Sequence, residues 1–436
     1  MKAEFPQVDV LIIGAGSTGA AAALLCARRG LSTRCLDRAA LADAGAHWVN
    51  GVPASAFDIA GITPPAAPEL RAQGVDFHLF AGWGPERIVM RGLDLLEVDM
   101  RRLVTRLQAE AKAAGADFVD NTRVHGYDGV TLHTSSGPMA ARWIIDASGL
   151  SGARLLAHPR PAGPDICTAA QEVRRITDRQ AARQFCRQHD VPLGDTLCFT
   201  GIEGGYSILN IRVELGEAPG DADTVSILTG AIPARGHRSG RAILRDFVAT
   251  TPWVGETIFG GGRAIPLRRP YTNLYRDNVA VIGEAACQVF AAHGSGIGAG
   301  MVAARVLADA LADGRGLEGY EADWQRLHGG LFAGYAAFRN YNQTLTIEDL
   351  ARLMRSGLLD ADTLADGLLQ RMPAPSASMV LAKIRAMMRA PDLAAQLLPV
   401  MGQMAAAAVL YAGFPTTPKR RQGWSRLVSG VLGAPG

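Results

Sequence analysis

The 436-residue chain is short of lysine, of charge of one sign and of paired cysteines. Only four of its 44 basic residues are lysine (Lys2, Lys112, Lys383 and Lys419), a bias that reflects a GC-rich coding sequence before any chemistry. Forty-one acidic residues nearly balance the basic ones and leave a net charge of +3, with Lys419, Arg420 and Arg421 as the one basic cluster. A partner with a phosphate backbone calls for a denser basic face, so no nucleic acid is expected. The six cysteines (Cys26, Cys35, Cys167, Cys186, Cys198 and Cys287) form no CxxC pair and no metal-ligand spacing. Neither a metal site nor a disulfide framework is expected, and a reducing cytoplasm is the natural compartment. Met1 to Val8 carries Lys2 and Glu4 but no apolar leader with a cleavage site, and no repeat of 20 to 50 residues is visible. Leu393 to Phe414 is uncharged and long enough to span a bilayer. Its Gln396, Pro399, Gly402, Gln403 and alanine-rich centre argue instead for a buried or interfacial helix.

What is present is core-forming material: 48% of positions are hydrophobic and 19% charged, which excludes disorder and supplies one large core or two fused ones. Val8 to Ile13 (VDVLII) predicts a buried strand, Ser17 to Arg29 an alanine-rich helix stopped by Gly30, and Ser32 to Leu36 a second strand. Asp99 to Ala114 has apolar residues at helical spacing, and short strands follow through Arg142 to Asp146. From about Thr168 to Pro233 the pattern alternates, as in Tyr206 to Val213 and Thr224 to Leu228, and predicts an antiparallel sheet inserted into the first domain. Asn278 to Ile282 returns to a buried parallel strand and Gly296 to Leu311 to a glycine-led helix. Beyond Gly316 the pattern is helical, with breaks expected at Pro373, Pro375, Pro391 and Pro415. The expected divisions are 1–165 with 266–315, an insert over 166–265, and a helical region over 316–436.

Gly14, Gly16 and Gly19 spell GAGSTG directly after the first strand and before the first helix, and Asp37 ends the second strand. That context is what a dinucleotide fingerprint requires. Gly14 permits the tight turn, Gly16 leaves room for a pyrophosphate, Gly19 lets helix and strand pack closely, and the helix N-terminus faces the phosphates. Asp37 is positioned to accept from a ribose hydroxyl.

Three further segments carry a resemblance: VDMRRLVTRLQAEA at 98–111, IIDASG at 144–149, and VAVIGEAACQVFAAHGSGIGAGMVAARVLADAL at 279–311. Over roughly residues 7 to 310 the chain resembles the flavoprotein superfamily of p-hydroxybenzoate hydroxylase, geranylgeranyl reductase, lycopene cyclase and the tryptophan halogenases. The resemblance implies an α/β fold: a Rossmann-like FAD-binding domain, an inserted antiparallel β-sheet substrate domain and a helical C-terminal region. It implies FAD as cofactor, held by Gly14, Gly16, Ser17, Thr18, Gly19, Asp37 and Arg38. Arg101, with Arg102 as the alternative, would meet the phosphates and the Val124 backbone the adenine. Asp146, Gly149, Glu284, Gly294, Gly296, Ile297, Gly298 and Ala299 complete the implied set. Glu284 stands where the family has aspartate, one methylene shorter.

The family's chemistries divide on smaller signals. IIDASG resembles the reductases and halogenases more than the aromatic hydroxylases, FGGGRAIPLRRP at 259–270 resembles the geranylgeranyl reductases, and the WxWxIP string of the halogenases is absent; no second GxGxxG marks a dedicated nicotinamide domain, and NADPH or NADH is the expected electron donor. Candidate side chains near the flavin ring are His47, Trp48, Asn50, Cys287 and His293, with Tyr206 on the inserted sheet. The leading expectation is monooxygenation of an apolar or aromatic small molecule through a flavin hydroperoxide. Reduction of carbon–carbon double bonds in a lipophilic substrate stands beside it. A non-catalytic prenyl or lipid carrier of the kind that Rab GDP-dissociation inhibitors represent, and modification of a residue on a protein substrate, are the further alternatives. The methionine-containing C-terminal region, with Met372, Met379, Met387, Met388, Met401 and Met404, is expected to be ordinary helical core, a cover over an apolar pocket, or a peripheral membrane contact.

Overall fold

The first strand, Val8–Ile13, is apolar because it lies in the middle of a sheet with helices on its faces, and only Val8 and Asp9 are not fully buried. The computed structural model describes residues 8–216, 222–373 and 376–433. The leader reading of Met1 to Val8, apart from Val8, and the expected break at Pro375 lie outside the described residues. The sheet runs Tyr275–Arg276, Val279–Val281, Ala141–Asp146, Val8–Ile13, Thr33–Leu36, Asp117–Val119, parallel except at its Tyr275–Arg276 edge. The fingerprint helix Ser17–Ala27 is buried from Gly19 to Ala27. It packs against the helices Met100–Ala113 and Ile297–Ala312, and its alanines are what let three helices and a sheet approach so closely.

The second large sheet has seven strands: Val254–Pro266, Ile166–Ile176, Thr224–Ala231, Ser207–Glu214, Thr196–Thr200, Phe77–Ala81 and Arg87–Met90. The inserted β-rich unit is thus present, but it recruits its last two strands from the 77–90 segment, outside the expected 166–265. One pair, Thr196–Thr200 with Phe77–Ala81, is parallel, so the sheet is mixed rather than wholly antiparallel. Two smaller three-stranded sheets flank these, one of them Val49–Pro53, Leu95–Asp99 and Leu70–Gln73.

After residue 316 the described chain is helical, as expected, and it is interrupted at Pro373, just before Pro391 and at Pro415, the positions read from the sequence. Pro391 opens the helix Pro391–Ala412 and Pro418 opens Pro418–Leu432, the position where a missing N–H costs nothing. Pro399 sits inside the first of these. Arg339, buried in the helix Gly330–Asn342, donates to Asp165 and to the carbonyls of Pro164 and Leu267, which fixes the helical region against the second sheet.

Candidate functional site: a cleft at the carboxyl ends of the parallel strands

Strand register gathers the chemistry. Ile13 is in register with Leu36 and Asp146, and Asp146 with Val281, so Gly14, Asp37, Ala147 and Ile282 leave the sheet side by side. The crevice beyond such strand ends is where an open α/β sheet binds its ligand. A cleft of about 280 Å³ opens there, walled by the parallel sheet, the loop after Asp37 and the seven-stranded sheet.

At one end lie Gly14, Gly16, Ser17, Thr18, Asp37 and Arg38. Gly14 has φ +100°, and a Cβ on it would lie 2.6 Å from the Ala147 carbonyl oxygen. A Cβ on Gly19 would lie 1.7 Å from the Gly14 oxygen, so Gly19 serves the packing of loop on helix and does not line the cleft. Asp37 accepts from the amides of Ala15 (2.7 Å) and Ala39 (2.9 Å), which leaves the carboxylate fixed at the mouth with acceptor capacity to spare. The helix begins at Gly16 with no side-chain cap, so its first amides are left for a ligand.

The floor is a second uncapped helix start, Gly296 to Ile297, with Gly294, Ser295, His293 and Glu284. Burial raises the Glu284 carboxyl above its ordinary range, with the Arg263 guanidinium offsetting part of the effect. Burial lowers His293 to about 4, so its imidazole is neutral at pH 7. The buried polar atoms Trp48 Nε1, His293 Nε2 and Ser295 Oγ have no partner among the described residues. Such atoms beside a glycine cradle fit a flat ligand with polar edges and a phosphate tail. At the far end the wall is apolar, with Cys167, Tyr206, Ile208, Leu228 and Ile265. Burial pushes the Cys167 thiol up to about 12 and the Tyr206 phenol well above its usual value, so both keep their protons. A Cβ on Gly294 would lie 3.4 Å from the Tyr206 hydroxyl, which places that hydroxyl over the glycine turn.

Of the expected cofactor residues, Gly149, Glu284, Gly294, Gly296 and Ile297 also line the cleft, as do Trp48 and Asn50 among the candidate side chains. Others do not. Arg101 and Arg102 are exposed on the first turn of their helix, which Asp99 caps, and Val124 starts a strand of a flanking sheet. Asp146 is fully buried and occupied by Ser148 and the Leu155 amide, so it pins the following loop and stays out of the cleft. Gly298 is a packing glycine, its Cβ position 2.8 Å from the Ala56 Cβ, and Ala299 beside it is buried. His47 lies next to the wall with its Nε2 shielded but does not line it. Cys287 is fully buried, takes a left-handed φ of 54° and has its thiol pushed up to about 11, which removes the thiolate that a nucleophile needs. Among the described residues the cleft wall contains nothing from beyond Ile297, so the C-terminal methionines do not line it.

Sequence reasoning missed Arg263, Gly45 and Gln108. Arg263 donates to the Gly45 carbonyl, joining the second sheet to the loop after Asp37. Gln108 donates to the carbonyls of Ala15 (2.9 Å) and Leu41 (3.2 Å) and so holds the glycine loop from behind. A glutamine on the apolar face made by Leu103, Leu107 and Ala111 was the available signal.

Comparisons with known proteins agree with this geometry. The family described as FAD binding domain matches residues 7–129. Digeranylgeranylglycerophospholipid reductase 2 of Methanothermobacter thermautotrophicus is 28% identical over 380 residues, spanning 80% of this chain and 91% of that protein. Among solved structures, a geranylgeranyl bacteriochlorophyll reductase-like protein from Thermoplasma acidophilum superposes with a TM-score of 0.68 at 16% identity, over 90% of this chain and 99% of its own. The halogenase PltM superposes at 0.64 and 15% identity, over 97% and 96%, which speaks to the fold alone.

Proposed function

We propose that this chain is an FAD-dependent oxidoreductase that reduces carbon–carbon double bonds of a lipophilic, prenyl-like substrate, a reading supported by its FAD binding domain match over residues 7–129 and its 28% identity to a digeranylgeranylglycerophospholipid reductase. That it is an FAD-dependent oxidoreductase is the coarser statement. The observation that carries the finer one is the extent of the likeness to the archaeal reductase, 80% of this chain and 91% of the other, reaching past the nucleotide half into the substrate sheet. Monooxygenation, the leading expectation from sequence, has only fold-level likeness behind it and gives way to the reductase reading.

In this reading Gly14, Gly16, Ser17, Thr18 and Asp37 hold the nucleotide end of FAD, and Glu284, Gly294, Gly296 and Ile297 the ring end. Reduced FAD held by these residues would supply the hydride-transfer chemistry. The protein must orient the alkene, exclude water and provide a proton for one carbon of the double bond. Ile208, Leu228 and Ile265 favour an apolar chain over water. The Tyr206 Oη and Cys167 Sγ hold protons in an uncharged wall, and neutral His293 keeps its Nε2 shielded beside them. Anaerobic incubation of the reduced holoprotein with a geranylgeranyl lipid tests the proposal. The expected product gains two hydrogens per bond while the flavin spectrum returns to the oxidised form. An unchanged lipid anaerobically, together with an oxygen-bearing product in air, would overturn it in favour of monooxygenation.

A further inference from the structure

Nine of the sixteen exposed large hydrophobic side chains among the described residues fall between 377 and 432, about an eighth of the chain. In the helix Ala377–Arg389, Val380, Ile384 and Met388 recur at i, i+4 and i+8 with Leu381 beside them, and all four point to solvent. Pro391–Ala412 is long and apolar enough to cross a membrane, and only 28% of its most apolar stretch is buried. One of its faces is taken: it packs on Gly330–Asn342, where a Cβ on Gly330 would lie 2.9 Å from the Ala408 Cα. A helix seated this way cannot cross a bilayer without drawing its neighbour in. The opposite face, through Leu398, Gly402, Ala405 and Val409, recurs at spacings of three and four and is exposed and uncharged. Gln403 donates to the Val431 carbonyl (3.0 Å), which sets the last helix, with exposed Leu427 and Val431, alongside it.

Charge selects the occupant. Residues 377–432 hold seven basic side chains and one acid, a net of +6, against +3 for the whole chain and so −3 for the remainder. Lys383 and Arg421 are paired with Asp360 and Glu321. Arg385, Arg389, Lys419, Arg420 and Arg426 are exposed and join no ion pair among the described residues. Apolar faces edged by arginine and lysine are what an anionic lipid interface binds. A second copy of this chain would bring the same positive charge to the contact.

We propose that Ala377–Arg389, Pro391–Ala412 and Pro418–Leu432 form a docking surface for an anionic bilayer and lie in the plane of its headgroups. The proposal is independent of the redox reading. The test is flotation of the purified holoprotein with vesicles of phosphatidylcholine alone or of an equal mixture with phosphatidylglycerol. The expected result is co-flotation with the anionic vesicles and release at high salt. Lys419→Ala with Arg420→Ala should lower the partition roughly 10- to 30-fold. Ile384→Asp with Met388→Asp should abolish it while the flavin spectrum, the readout of a folded cleft, stays unchanged. Absence of flotation at low salt would overturn the proposal, as would flotation undiminished in both variants. A dimer in sedimentation that the Asp variants break into monomers would assign the surface to a second copy instead.

Discussion

The helices Ser17–Ala27 and Pro391–Ala412 are made of nearly the same alanine-rich material, yet the first is buried from Gly19 onward and the second shows a continuous face to solvent. Composition does not separate them; position does. The fingerprint helix lies between a parallel sheet and two other helices, so every methyl has a neighbour. The C-terminal helix packs on Gly330–Asn342 and on the helices that flank it in sequence, and among the described residues nothing covers its outer side. Glycine in the first is a requirement of close packing, and glycine in the second is a loose position.

That contrast can be broken or sharpened by substitution. The largest effect is expected from Gly19→Ala, whose new methyl would fall 1.7 Å from the Gly14 oxygen. Soluble yield and flavin absorbance should both be lost, at a cost of more than about 4 kcal/mol. Next comes Asp37→Ala, which removes the acceptor for the Ala15 and Ala39 amides and the ribose partner. FAD affinity, read by fluorescence titration of apoprotein, should fall roughly 10- to 100-fold. A smaller effect is expected from His293. Its folded value near 4 lies below the ordinary 6.5, so it contributes stability above pH 6.5 that is lost as pH falls through about 4. His293→Gln should flatten the melting temperature between pH 6.5 and 4 by the equivalent of about 1 to 3 kcal/mol. The smallest is Gly402→Ala: a Cβ there meets nothing within 4 Å, so urea unfolding should show a gain of about 0.5 to 1 kcal/mol. Destabilisation by Gly402→Ala would mean the outer face is in fact covered.

Local features were the legible ones. Val8–Ile13 appears with the bounds read from VDVLII, and the helix expected over 296–311 forms over Ile297–Ala312, because each is dictated by its own run of residues. The strands Phe77–Ala81 and Arg87–Met90 were invisible as parts of the second sheet, since pairing across more than a hundred residues leaves no trace in local periodicity. For the same reason the alternation of Tyr206 to Val213 and Thr224 to Leu228 predicts strands without revealing that Ile208 and Leu228 line the cleft. Arg101 and Val124 were carried over from a family pattern, and their positions on the surface of a first turn and in a flanking sheet depend on packing that a motif does not encode. Arg263 sits on an exposed edge strand, where an arginine looks like any solvated charge until Gly45 is seen beside it.

The Arg263 link to the Gly45 carbonyl is a direct tie between the seven-stranded sheet and the loop after Asp37, across a cleft whose two ends belong to different sheets. A ligand seated there would act as a keystone. Its binding free energy would be shared by both halves, so the two should melt together when it is abundant and drift apart in temperature as it is diluted. Cofactor supply would then govern how much of this protein persists in folded form, as well as how much of it turns over.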